Sequence, residues 1–111
     1  KAIEEYYKSD ETFIYDGSGL SRKNKTTSSF LMNILKQNKD NSVLKNSLGV
    51  SGVSGTLKYL NSEKIKGKIQ AKSGSADGIL NYAGYFKNSK GDQLAFVFMI
   101  NNVIFISTIW E

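Results

Sequence analysis

The sequence predicts an α+β domain, an antiparallel sheet flanked by helices on both faces. Three observations carry that expectation. The last third holds three runs rich in β-branched and aromatic residues: Ile69 to Ser73, Ile79 to Phe86 and Gln93 to Asn101. The second and third are separated by the turn Asn88 to Asp92, whose Ser-Lys-Gly-Asp makes an antiparallel hairpin the natural pairing, with the first run alongside. Leu94, Ala95, Phe96, Val97, Phe98, Met99 and Ile100 are apolar without alternation, the pattern of a strand covered on both faces.

The remaining elements follow from spacing and caps. Ala2 to Lys8 reads as helix, the last turns of one rather than its start, so the chain is expected to be a piece of something longer. Phe13 to Tyr15 reads as a short strand leading into Asp16-Gly17-Ser18-Gly19. Thr26 or Thr27 caps a helix whose Phe30, Leu31, Ile34 and Leu35 share one face and which ends near Gln37. Asp40 or Asn41 caps a second, short helix through Leu48. Gly49, Gly52 and Gly55 then make a flexible crossing into a brief helical piece, Thr56 to Leu60, and the polar Asn61 to Gly67 is loop. No linker, repeat or low-complexity tract divides the chain, so residues 1–111 form part of one domain with a modest core.

Composition removes whole classes of chemistry. The 111 residues contain no His and no Cys, which excludes thiol nucleophiles, disulfides, the usual zinc sites and every Ser-His-Asp arrangement. Acid and base work falls to Lys, Asp, Glu or Tyr, and neither a metal nor an organic cofactor is expected. The net charge of +5 raises nucleic acid as a partner. The lysines are scattered over turns and polar faces, however, with no RNA-binding signature or basic-aromatic stripe, so no nucleic acid is expected. No apolar run reaches the roughly 18 residues that span a bilayer, so this chain carries no predicted transmembrane segment.

Chemistry concentrates at Lys72-Ser73-Gly74, at the head of AKSGSADGILNYAGYF. A cation, a hydroxyl and a residue without a side chain, in a row on a strand, suit an edge that must hold a peptide carboxylate beside its own backbone. In a chain this rich in Lys and Ser the triplet alone is weak, and its surroundings make the case. Gly74 lets another backbone approach closely, or it marks a bulge. Ser75 makes a further polar contact at the same edge, or forms a turn. Asp16 accepts N–H bonds from the Gly17 to Gly19 stretch and so orders its loop.

Three stretches occur together: YDGSGLSRKN at 15–24, SLGVSGVSGTL at 47–57 and IQAKSGSADGILNYAGYFKNSKGDQLAFVFMINN at 69–102. On these the chain resembles the C-terminal part of a D-Ala-D-Ala carboxypeptidase/endopeptidase of the penicillin-binding protein 4 type, a β-lactamase/transpeptidase-like catalytic domain. The resemblance implies a serine-type peptidase that cleaves peptidoglycan stem peptides through an acyl-enzyme, inhibited by β-lactams and placed in the periplasm or extracytoplasmic envelope. It implies that Lys72 is catalytic, supplying charge to the terminal carboxylate and to proton transfer, and that Ser73, Gly74 and Ser75 bind substrate near the loop of Asp16. Ser73 stands where Thr is commoner.

Two family boxes, Ser-x-x-Lys and Ser-x-Asn, precede the DGSGLSR stretch in relatives and are absent ahead of it here. The formal Ser42-Val43-Leu44-Lys45 falls after that stretch and is read as coincidence. The nucleophile is therefore expected outside this chain, which alone is expected to be inactive. The alternatives are a non-catalytic peptidoglycan-binding module, or a β-lactamase or esterase of the same fold. The closing NVIFISTIWE departs from the family and reads as a strand or a misfit tail.

Overall fold

A computed structural model of the chain describes residues 11–102. Helix α1, Ser28–Gln37, begins where Thr27 turns its hydroxyl back to accept the Phe30 N–H at 3.1 Å, satisfying one of the orphan donors of the first turn. Its apolar stripe buries Phe30 and Leu35. Helix α2, Ser42–Ser47, repeats the device, with Asn41 Oδ1 accepting the Leu44 N–H at 3.2 Å. Of the two pairs of capping candidates, Thr27 and Asn41 are the caps.

The sheet has four strands in the order β1 (Gly49–Val50), β2 (Ile69–Ala76), β3 (Ile79–Lys87) and β4 (Gln93–Ile100), each antiparallel to the next. Sequence neighbours are thus spatial neighbours, joined by tight turns at Asp77-Gly78 and Asn88 to Asp92. Asn88 closes the second turn by accepting the N–H groups of Lys90 and Asp92 at 2.9 Å each.

Register assigns every side chain to a face. The Tyr85 hydroxyl donates to the Leu35 carbonyl at 2.6 Å, which identifies its face as the one under α1. Gln70, Lys72 and Gly74 share that face through their partners Tyr85, Ala83 and Asn81, and Ala95, Val97 and Met99 continue it on β4. The opposite face carries Ala71, Ser73 and Ser75 on β2, then Gly84, Tyr82 and Leu80 on β3, then Phe96, Phe98 and Ile100 on β4. A 3₁₀ turn, Gly55–Leu57, lies against β1 and β2, and its Leu57 is entirely buried.

Two glycines allow close approaches that position the site. Gly55 has φ +62° and would meet the Gly49 Cα at 3.1 Å if it carried a Cβ, so the turn can fold onto β1 only without one. Gly84 is extended, but a Cβ there would sit 2.0 Å from the Gln70 carbonyl oxygen and 2.5 Å from the Ala71 Cα. Ser51, fully buried, locks the polar loop to the sheet: its hydroxyl donates to the Ile65 carbonyl at 2.5 Å and accepts the Ile69 N–H at 3.1 Å.

Several expectations change. Phe13 to Tyr15 is not a strand; a single bridge, Phe13 with Lys25, stands in its place. The Gly49 to Gly55 crossing is not irregular throughout, because Gly49 and Val50 pair with Ala71 and Gln70. The helical piece is one 3₁₀ turn, Gly55–Leu57, instead of Thr56 to Leu60, and β2 runs on to Ala76. β4 is not covered on both faces among the described residues: Leu94 and Phe98 are 43% and 47% exposed. Phe96 is sheltered by an edge-on contact with Phe86, centroids 5.9 Å apart. The Ala2 to Lys8 helix and all but the first residue of NVIFISTIWE fall outside the described residues.

Gly84→Ala drives a methyl into the backbone of β2, and we expect destabilisation of about 3 kcal/mol, the upper part of the range for overpacking. The denaturant midpoint measures it, and an unchanged midpoint would contradict the close approach of β2 and β3.

Candidate functional site

β2 is paired on both sides for only part of its length. β1 covers Gln70 and Ala71 and stops, while β3 pairs with every residue from Ile69 to Ala76. From Lys72 to Ala76 the outer edge of β2 is unpaired among the described strands.

The hydrogen bonds show which backbone groups face that edge. Ile69 points outward, since its carbonyl accepts the Ser51 N–H at 2.9 Å, while the Lys68 carbonyl points to β3 and accepts the Lys87 N–H at 3.1 Å. The ladder continues one-to-one with no bulge, so alternation turns the N–H and C=O groups of Ala71, Ser73 and Ser75 outward as well. Gly74 is therefore not a bulge, and Ser75 is in the strand, not in a turn.

Lys72 is exposed on the α1 face, and its ammonium curls over the edge to donate to the Ser73 carbonyl at 2.5 Å. Ser73 is half-buried on the other face, its hydroxyl 2.5 Å from the Thr56 hydroxyl. Gly74 and Ser75 are exposed, and a Cβ on Gly74 would meet nothing within 4 Å. A cation and a hydroxyl thus flank an open strip of backbone donors and acceptors from opposite faces of one strand. Such an edge can take an extended peptide by main-chain pairing and hold an anion at one end.

Two neighbours of this edge are not among the site residues the sequence singles out. Tyr82, directly opposite Ser73 in the ladder, is hydrogen-bonded through its hydroxyl to that of Tyr59. That bond, helped by burial, holds the Tyr82 phenol above its ordinary pKa. Asn81, opposite Gly74 on the α1 face, has a buried Oδ1 without a hydrogen-bond partner among the described residues. Sequence reading treats Tyr82 as an ordinary sheet aromatic, and Thr56 and Tyr59 fall in the segment read as a brief helical piece, with no site role. Their placement depends on the fold of the 3₁₀ turn.

Asp16 orders its loop by a wider set of bonds than the sequence implies. Oδ1 accepts the Gly19 N–H at 2.7 Å and the Asn24 side-chain amide at 3.1 Å, and Oδ2 accepts the Ser21 N–H at 2.7 Å. Asn24 returns the favour to the Tyr15 N–H at 2.7 Å. These bonds are internal to the loop, and none of them reaches the Lys72–Ser75 edge. Of the formal Ser-x-x-Lys, Lys45 lies over the Tyr85 ring, 5.6 Å from its centroid, a packing role. Among the described residues no group of three acidic, His or Cys side chains gathers as a metal site, and no helix is long and apolar enough to cross a membrane.

An antiparallel four-stranded sheet with helices, superposing on solved penicillin-binding proteins, defines a class, the penicillin-binding/transpeptidase-like fold. The chain belongs to the D-Ala-D-Ala carboxypeptidase 3 (S13) family, whose profile matches residues 6–108. It is 34% identical over 96 residues to the D-alanyl-D-alanine carboxypeptidase DacB of Haemophilus influenzae, a match covering 81% of this chain and 20% of that protein. Penicillin binding protein 4 of the same organism superposes with a TM-score of 0.74 at 33% identity, over 84% of this chain and 22% of its own. Its complex with a β-lactam superposes with a TM-score of 0.72, over 82% and 22%. The chain spans about one fifth of the length of these relatives.

The Asn24 amide above all holds the Asp16 carboxyl below its ordinary 3.8; desolvation opposes it, and the Gly19 and Ser21 N–H groups add to the lowering. A depressed folded-state value means the stabilising contribution is whole above pH 3.8 and is lost as pH falls through that lower value. The Gly19 and Ser21 amide NMR shifts should move together in that acidic window, and Asp16→Asn should abolish the titration. Persistence of the shifts in the variant would assign them to another group.

Proposed function

We propose that this chain is the C-terminal portion, residues 1–111, of a penicillin-binding/transpeptidase-like catalytic domain, and that it supplies the Lys-Ser-Gly edge of a serine-type D-Ala-D-Ala carboxypeptidase/endopeptidase. The substrates are peptidoglycan stem peptides, and the place of action is the periplasm or extracytoplasmic envelope. The observation that carries the reading is the unpaired edge of β2 from Lys72 to Ala76, with Lys72 folded over it and Gly74 unobstructed. Family membership supplies the reaction class.

On this reading the stem peptide lies along β2 as an added strand, pairing with the outward N–H and C=O groups of Ser73 and Ser75. The D-Ala carboxylate takes a charge-assisted bond from Lys72 and a hydrogen bond from the Ser73 hydroxyl. Moving to that carboxylate requires Lys72 to leave only the Ser73 carbonyl, its present partner. At Gly74 no side chain occupies the α1 face beside Lys72, where a Cβ would meet nothing within 4 Å, so that space is open to the docked peptide.

A serine hydroxyl from outside this chain attacks the D-Ala-D-Ala carbonyl, its proton passing to a neighbouring amine and then to the departing D-Ala nitrogen. Water cleaves the resulting ester. A β-lactam presents the same carbonyl and carboxylate and remains as the acyl-enzyme. Lys72 contributes positive charge where negative charge develops in the transition state.

A fluorescent penicillin should label the complete polypeptide that carries this chain and leave the isolated chain unlabelled. Lys72→Ala in the complete polypeptide should slow acylation by at least about 100-fold. Covalent labelling of the isolated chain, or wild-type acylation by the variant, would overturn the assignment. Tight binding of a D-Ala-D-Ala peptide without turnover by the complete polypeptide would instead mark a binding module.

A further inference from the structure

We infer that Thr56 is a positioning residue for substrate carboxylate binding, holding the Ser73 hydroxyl so that its proton is presented to the anion. The inference rests on the reading of Ser73 above and adds a residue from a different element.

The two hydroxyl oxygens are 2.5 Å apart, close enough that one proton lies between them. When Thr56 donates, both its own proton and one Ser73 lone pair are committed, and the Ser73 proton is left free to point elsewhere. On the reading of Ser73 above, a carboxylate docked on the open edge, to which Lys72 has moved from the Ser73 carbonyl, is the acceptor for that proton. A carboxylate there receives the Lys72 and Ser73 protons together.

Thr56 is well placed to impose this order. Although its own side chain is exposed, it sits between Gly55, which packs on Gly49, and Leu57, which is fully buried. Three residues on, Tyr59 bonds Tyr82, the direct ladder partner of Ser73. One segment therefore grips both members of the Ser73–Tyr82 pair. An exposed hydroxyl could satisfy itself with water, so burial does not explain the Thr56–Ser73 bond.

The identity of residue 73 gives the bond a purpose. Serine lacks the second heavy substituent on Cβ that stiffens χ1 in threonine, so its hydroxyl is free to rotate unless something outside the residue fixes it. Thr56 supplies that restraint. It follows that the need for Thr56 should disappear when residue 73 is itself β-branched.

The test uses the complete polypeptide and a matched pair of D-Ala-type thioester substrates, one ending in a carboxylate and one in the neutral amide. Thr56→Val should raise KM for the carboxylate substrate about five- to tenfold, with kcat altered less than about twofold, and leave the amide substrate unaffected. Thr56→Ser should restore the wild-type KM, and Ser73→Thr combined with Thr56→Val should recover most of it. Thermal melts of all variants confirm folding. An unchanged KM in Thr56→Val, or equal losses on both substrates, overturns the inference while leaving the enzymatic reading intact. A wild-type polypeptide that turns over neither substrate defeats the enzymatic reading itself.

Discussion

An antiparallel strand exposes alternate backbone groups to each side, and the consequences depend on whether a neighbour answers them. In β2 the inner side is answered along its whole length by β3, and the outer side only at Gln70 and Ala71, where β1 ends. The strand is therefore held in register by one partner while no described strand pairs with the outward groups of Ser73 and Ser75, and the Ser73 carbonyl is met by the Lys72 ammonium. Rigidity and vacancy in the same strand are what a peptide-docking edge needs, because the strand does not have to be ordered at the moment of binding. The close approach of β2 and β3 at Gly84 and the buried Tyr85 to Leu35 bond keep the inner side fixed.

Side-chain alternation adds a second consequence. Lys72 and Ser73 necessarily leave the strand on opposite faces, yet both reach its rim: the ammonium by curling back to the Ser73 carbonyl, the hydroxyl through its tie to Thr56. The α1 face and the face of the 3₁₀ turn therefore both take part in shaping one short stretch of edge. On the reading proposed above, a point charge on a flexible stem and a restrained neutral donor are complementary devices for a carboxylate, the first for strength and the second for direction.

The same sheet leaves apolar surface open away from this edge. Leu94 and Phe98 stand exposed on β4, on the face that the 3₁₀ turn covers only at the β2 end. Coverage of that face is what the unbroken apolar run of β4 predicts, and it is not met by anything among the described residues. Asn81 makes a similar point in polar terms, with a buried acceptor that lacks a donor.

The hairpin of β3 and β4, the two helices and their caps, and the Lys72-Ser73-Gly74 triplet were all legible in the chain, because each depends on residues near one another in sequence: an apolar period, a hydroxyl or amide before a helix, a turn. The reading failed where a distant partner decides. Gly49 and Val50 become a strand only because Ala71 and Gln70 are beside them, and among the described residues Phe13 to Tyr15 makes one isolated bridge, Phe13 with Lys25, and no ladder. The open edge, the meeting of Thr56 with Ser73 and that of Tyr59 with Tyr82 were likewise beyond reach of pattern. They arise from a turn held by Leu57 and two packed glycines, and contacts across 17 and 23 residues have no local signature. Sequence by itself determined which groups this protein brings to a strand, and tertiary structure decided which side of that strand remained free for them to use.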